Sequence, residues 1–348
     1  MVLESKSYIA IPPGETIKEQ ISDRGISQKE FAIRMDCSEK HISKLINGEV
    51  LLTTDMAIKL EMVLGIPARF WNNLEFSYRE TLAKIEIENN MEDELKLAKK
   101  FSYSEMANVS LVPPTKKPEE RVINLRKFFE VNRLSLILEK NILTNVFYRR
   151  LTVYNDKDYK MMALIQEARR QARDIDTKPI NINGLMKSLA SIRKLSNEKP
   201  DAYLPEIKEL LSNNGVAVVY LPNIEGSYLH GLSFKEKNKI VLGLTCRYKD
   251  ADRFFFSLFH ELGHIILKHL DMEYDKALEI EADAFARDNL INPLSYSKFI
   301  ANGKFTIEDI KAFASSEGIS LGIAIGRLQN DGYIPFSFFN SNKEKVAF

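Results

Sequence analysis

The chain has 348 residues, 49 Lys and Arg against 48 Asp and Glu, a net charge of +1 and 45 % apolar residues. It is long enough for two or three domains and apolar enough for real cores, which excludes a wholly disordered chain, a histone-like basic protein and an acidic tail protein. Two cysteines, Cys37 and Cys246, make neither a disulfide framework nor a paired metal knuckle; with no N-terminal apolar h-region and no long uncharged apolar window, a cytoplasmic protein without membrane contact is expected.

Cut at residues 80 and 200, the chain separates into segments of net charge −2, +7 and −4. Proline-rich punctuation at residues 112–118 and 197–205 supports breaks. Three domains are therefore expected: 1–80, a basic helical middle at 81–200, and 201–348. Lys116, Lys117, Arg169, Arg170 and Arg173 supply part of the middle's positive charge and read best as a solvated helical face, with phosphate contacts as the sharper alternative.

In chain order, a first helix is expected over 15–24, stopped by Gly25. Ser27 caps a helix over 28–35, and Glu30 completes a capping box. Phe31 and Ala32 point inward from it. Ser38 caps the next helix, which runs to about residue 46 and ends on Asn47-Gly48. Thr54 or Asp55 starts a fourth, stopped by Gly65. The middle predicts helices over 121–129, 158–175 and 184–195. Beyond it come a helix over 204–213, strands over 216–221, 229–234 and 239–244, a long helix over 250–270, and another helix over 277–289 that ends before Pro293. The fold class is thus mainly α, with a small α+β domain holding a three-stranded sheet at the C-terminal end.

Three of the five histidines fall within ten residues, at His260, His264 and His269. His260-Glu261-Leu262-Gly263-His264 fits H-E-x-x-H. On a helix, positions i and i+4 share a face, so both imidazoles can hold one zinc ion, Zn2+. Glu261, about 100° round the helix, can then act as general base on a water whose pKa the ion lowers towards about 7. A catalytic zinc takes a third protein ligand. Spacing leaves Glu279, Glu281 and Asp283 in competition, and His269 reads as a surface histidine facing elsewhere. His230, Tyr228 and Arg247 are candidate donors to a transition-state oxyanion, with His230 placed beside Glu261 as the catalytic pair.

Residues from about 231 to 286 resemble the ImmA/IrrE family of metallopeptidases. The resemblance is carried by the strand at 240–244, Arg247, Phe254-Phe255-Phe256, the motif at 260–264, and Glu281-Ala282-Asp283-Ala284-Phe285-Ala286. It implies a gluzincin-like core, zinc as cofactor, and Glu281 as the third ligand after His260 and His264.

At the other end, the helices at 28–35 and 38–46 form a helix–turn–helix. The second would enter the major groove of double-stranded DNA with Ser38, Lys40, His41 and Lys44, while Gln28 sits at a helix N-terminus suited to a phosphate. Ile42, Leu45 and Ile46 would pack inward. Residues 13–74 resemble the XRE (Cro/C1-type) repressor domain in its HigA-like antitoxin branch, on Pro13-Gly14-Glu15, the run from Gly25 to Ala32, the run from Ile42 to Gly48, and Pro67-Ala68-Arg69-Phe70-Trp71. A single helix–turn–helix reads one half-site, so a homodimer is expected. The two resemblances imply a DNA-binding regulator whose zinc endopeptidase cleaves a specific repressor or antitoxin protein. The alternative is a non-proteolytic, antitoxin-like autorepressor whose metal domain serves as sensor or scaffold.

Overall fold

The computed structural model describes residues 3–139, 156–247, 249–272 and 275–348. Its contacts divide the chain into two units, Met1–Lys96 and Leu97–Phe348.

The first unit opens with a two-residue antiparallel pair, β1 (Leu3–Glu4) and β2 (Ile9–Ala10). Five helices follow: α1 (Pro13–Asp23), α2 (Gln28–Arg34), α3 (Glu39–Ile46), α4 (Thr54–Leu64) and α5 (Ala68–Asn89), the last running through position 80. The expected caps are in place. The Ser27 hydroxyl accepts from Glu30 N–H at 3.1 Å, and that of Ser38 accepts from His41 N–H at 3.2 Å. The capping box is only half made, because the Glu30 carboxylate turns to the Arg34 guanidinium at 2.6 Å, one turn ahead. Ile17, Phe31, Ile42, Leu60 and Trp71 are fully buried and tie the five helices to one core.

The unit boundary lies within α6 (Met91–Ala98). The second unit continues with α7 (Tyr103–Asn108), α8 (Pro118–Phe129), α9 (Leu136–Glu139), α10 (Asp156–Arg173), α11 (Ile182–Lys194) and α12 (Pro200–Ser212). The break expected over 197–205 is shorter than its prolines suggest. Pro200 occupies the first turn of α12, where a missing N–H costs nothing, and Pro205 lies inside that helix. Four of the five basic side chains singled out in the middle are partnered. Lys117 meets Glu120 at 2.8 Å, Arg169 meets Glu236 at 2.9 Å while stacking on Phe234, Arg170 meets Glu167 at 3.2 Å, and Arg173 pairs with Glu130.

The sheet has the order β3 (Val216–Leu221), β5 (Lys239–Thr245), β4 (Gly231–Glu236). β5 is central, parallel to β3 and antiparallel to β4, with Gly231 opposite Leu244 and Ser233 opposite Leu242. One face, with Val216, Val218, Ile240, Leu242 and Leu244, packs on α13 (Ala251–Ile266) through Phe254, Phe255, Leu258 and Phe259. α10 packs against β3 and β5 and stacks Arg169 on Phe234, which points from the other face. After α13 come α14 (Lys276–Leu290), α15 (Pro293–Ala301), α16 (Ile307–Glu317) and α17 (Leu321–Asn330).

The helix expected to continue to residue 270 stops at Ile266. Lys268 takes a left-handed backbone, φ +61°, and His269–Asp271 form a 3-10 turn. Among the described residues, no helix is long and apolar enough to cross a membrane.

Candidate metal centre and helix–turn–helix

α13 has two faces because apolar residues recur at 254, 255, 258, 259 and 262, leaving 260, 261 and 264 on the side turned to α14 and β4. Gly263 sets the distance to α14: a Cβ there would lie 3.3 Å from Ala282 Cα and 3.1 Å from Phe285 Cδ1. That close approach brings side chains of α14 across to the two imidazoles.

His260 Nε2 and His264 Nε2 lie 3.0 Å apart. The Glu279 carboxylate faces both, with Oε2 at 3.5 Å from His260 Nε2 and Oε1 at 3.8 Å from His264 Nε2. The three ligand atoms fall within 4.8 Å of one another. Tetrahedral zinc with ~2.0 Å bonds holds its ligand atoms roughly 3.3 Å apart, so two imidazoles and one carboxylate fit that ion in spacing and chemistry. His260 Nδ1 meets Asp283 Oδ1 at 2.8 Å, which aims Nε2 at the cluster.

Glu281, the third ligand implied by family resemblance, is not in this cluster. It lies two positions from Glu279, about 200° round the helix, with a side chain 60 % exposed. His269 is not at the surface: it is 3 % exposed, its Nδ1 lies 3.1 Å from His264 Nδ1, and its Nε2 lies 3.2 Å from Glu281 Oε2. The break at Lys268 folds His269 back beneath His264, whereas an unbroken helix would have carried it away.

The Glu261 side chain is buried. Its Oε2 accepts from the Ser233 hydroxyl at 2.6 Å, and a Cβ on Gly231 would lie 2.7 Å from its Cγ and 2.8 Å from its Oε1. Ser233 and Gly231 occupy alternate positions of β4, so one strand face both holds this carboxylate and leaves it room. Neither was singled out in the sequence, although the period of two, once the strand is drawn, places both on one face.

Charge around His260 is strongly negative. Burial acts to lower its pKa, but hydrogen bonds to Asp283 and Glu279 and the Glu261 charge override it and raise the ring to about 10 in the metal-free site. His230 goes the other way: burial, then Arg247, Arg253 and His260, hold it below its ordinary value, so it is neutral at pH 7. A cavity of about 660 Å³ opens beside the cluster, lined by Tyr228, His230, His260, Glu261, Glu279 and Arg287. Of the three oxyanion candidates, Tyr228 and His230 therefore line the cavity, and the Arg247 guanidinium stacks 4.3 Å over the Tyr228 ring.

In the first unit, Ile42, Leu45 and Ile46 are buried as expected, and Lys40 and Lys44 are exposed on α3. Ser38 is also exposed, with its hydroxyl engaged as the cap of α3. His41 and Gln28 are half-buried, Gln28 as the first residue of α2.

Comparison with known proteins agrees with this division. Residues 17–71 match the model of the Helix-turn-helix family, and residues 212–328 match that of the IrrE N-terminal-like domain, a Peptidase M78 family. The uncharacterized HTH-type transcriptional regulator YddM of Escherichia coli (strain K12) is 38 % identical over 63 residues, which cover 18 % of this chain and 67 % of that protein. With XRE-type helix–turn–helix sequence in its first unit and IrrE/ImmA-like sequence around the two histidines and Glu279 in its second, the chain belongs to the helix–turn–helix family and carries a metallopeptidase-like domain.

Proposed function

We propose that this protein is a DNA-binding transcriptional regulator carrying a zinc-dependent endopeptidase of narrow specificity, whose substrate is a partner protein such as a repressor or antitoxin. The observation that carries the enzymatic half is the convergence of His260, His264 and Glu279 beside a further carboxylate, Glu261, which Ser233 holds at the same cavity. A purely structural metal site has no use for such a base.

His260, His264 and Glu279 would hold the ion. Bound zinc would polarise the scissile carbonyl and acidify water. Glu261 takes the proton of the attacking water on Oε1, because the hydrogen bond from Ser233 occupies Oε2, and then delivers that proton to the leaving amine nitrogen. Asp283 keeps the His260 ring aimed. His230, neutral at pH 7 and on the cavity wall, donates an N–H towards the developing oxyanion.

For the DNA half, α3 supports major-groove docking through exposed Lys40 and Lys44, with Ser38 and His41 at its start and Gln28 near a phosphate. Two copies would read two half-sites as a homodimer in the cytoplasm. Binding close to an operator raises the local concentration of any repressor seated there, which gives selectivity without a tight substrate pocket.

Co-expression with candidate repressor or antitoxin partners tests the reading against Glu261→Gln, which keeps the shape and removes the base. Cleavage by the wild type alone is the expected result. Intact partners in both cases, with zinc bound, would overturn proteolysis in favour of a sensor or scaffold.

A further inference from the structure

Two hydrogen-bonded arms leave the histidine pair. The first is the direct contact from His260 Nδ1 to Asp283 at 2.8 Å. The second is longer: His264 Nδ1 to His269 Nδ1 at 3.1 Å, then His269 Nε2 to Glu281 Oε2 at 3.2 Å. Proton placement along the second arm follows from its ends. For His264 Nε2 to bind a metal, its Nδ1 must carry the hydrogen. His269 Nδ1 must then accept, so His269 Nε2 carries its ring's hydrogen and donates to Glu281. Each N–H along the arm then has an acceptor.

We propose that His269 and Glu281 are positioning residues of the metal centre, fixing the tautomer and ring orientation of His264 as Asp283 fixes those of His260. The inference rests on the zinc reading above and extends it to two residues outside the cluster of ligands. Three features support it besides the distances. His269 is buried at 3 % exposure, where an unpartnered imidazole would be costly, and His264 and Glu281 partner its two ring nitrogens. The left-handed Lys268 is what returns His269 to the underside of α13. Glu281 is exposed at the far end, so it has no packing role that would explain its place.

The test uses the full-length chain and zinc alone, with affinity measured by chelator competition and geometry read from the visible spectrum of the cobalt-substituted protein. Loss of partners that orient a ligating histidine typically costs 10–100-fold in metal affinity. His269→Leu is expected to weaken zinc binding by about that factor and to shift the cobalt bands. Glu281→Ala is expected to weaken it by roughly tenfold, the low end for an exposed partner, and Glu281→Gln, which keeps an acceptor in place, to recover most of the loss. Because Glu281 is exposed, its variants should melt like the wild type when metal-free, so they carry the test even if His269→Leu fails to fold. Zinc affinity within twofold of wild type in Glu281→Ala, with an unchanged cobalt spectrum, overturns the proposal while leaving Glu279 as ligand intact. A wild-type chain that binds no zinc overturns the metal reading and this inference together.

Discussion

Raising the pH from 7 to 9 should tighten zinc binding by about a hundredfold, because the ion must displace a proton from His260. In the metal-free site that ring is raised to about 10 by Asp283, Glu279 and Glu261, against the opposing effect of burial. A ligating imidazole is neutral, so each pH unit below that value costs a factor of ten, or 1.36 kcal/mol; at pH 7 the penalty is roughly 4 kcal/mol. The sign for the metal-free fold is the reverse. The ring's folded pKa lies above its ordinary 6.5, so the stabilisation from its proton is complete below 6.5 and disappears as the pH rises through about 10. Asp283→Asn removes the strongest support for that proton, and should flatten the rise in affinity between pH 7 and 9. Chelator competition across that range, with calorimetry in two buffers of different ionisation enthalpy, counts the protons released. An affinity independent of pH from 7 to 9, with no proton released, would refute the electrostatic account of His260.

Two further outcomes follow from particular contacts. Gly231→Ala places a methyl 2.7 Å from Glu261 Cγ and 2.8 Å from its Oε1; zinc stoichiometry should be unchanged, while a misplacement of about 1 Å at the base should cost roughly a hundredfold in hydrolysis of any identified substrate, and full activity would show that Glu261 needs no fixed seat. Lys40→Ala combined with Lys44→Ala should weaken operator binding and reduce the slope of log affinity against log salt by about 2; an unchanged slope in a binding titration would move the DNA contact away from α3.

Much of this was legible in the sequence because its signals are local. Ser27 and Ser38 announce their helices through hydroxyls that only a cap uses, and the apolar period of α13 leaves His260, Glu261 and His264 together on one side. What escaped depends on neighbours distant in sequence or on a single dihedral. Glu279 and Asp283 repeat the i, i+4 spacing of His260 and His264, so spacing alone admitted them; which carboxylate of α14 crosses to the imidazoles is decided by the close approach at Gly263, a property of two packed helices. A left-handed Lys268 leaves no mark in residue type, and it alone converts His269 from an expected surface residue into a buried partner of His264. Ser27 and Glu30 have capping-box spacing, yet an arginine one turn ahead outcompetes the backbone N–H that Glu30 would accept from. The segment charge of +7 is right as a sum but cannot show that Arg169 and Arg173 face Glu236 and Glu130, which are distant in the chain.

The double role of α13 has a further consequence. The turns that carry Phe255 and Phe259 into the centre of the second unit also carry His260 and His264 to the cluster, so the reactive geometry is inherited from the core and is not assembled on a loop. Changes that loosen the aromatic packing must reach the chemistry within one residue, and the chemistry cannot be retuned by redrawing a loop and leaving the interior alone. Variation in what the protein acts upon has its room instead on the cavity wall, at positions such as Tyr228 and Arg287 that line the opening without supporting the helix beneath it.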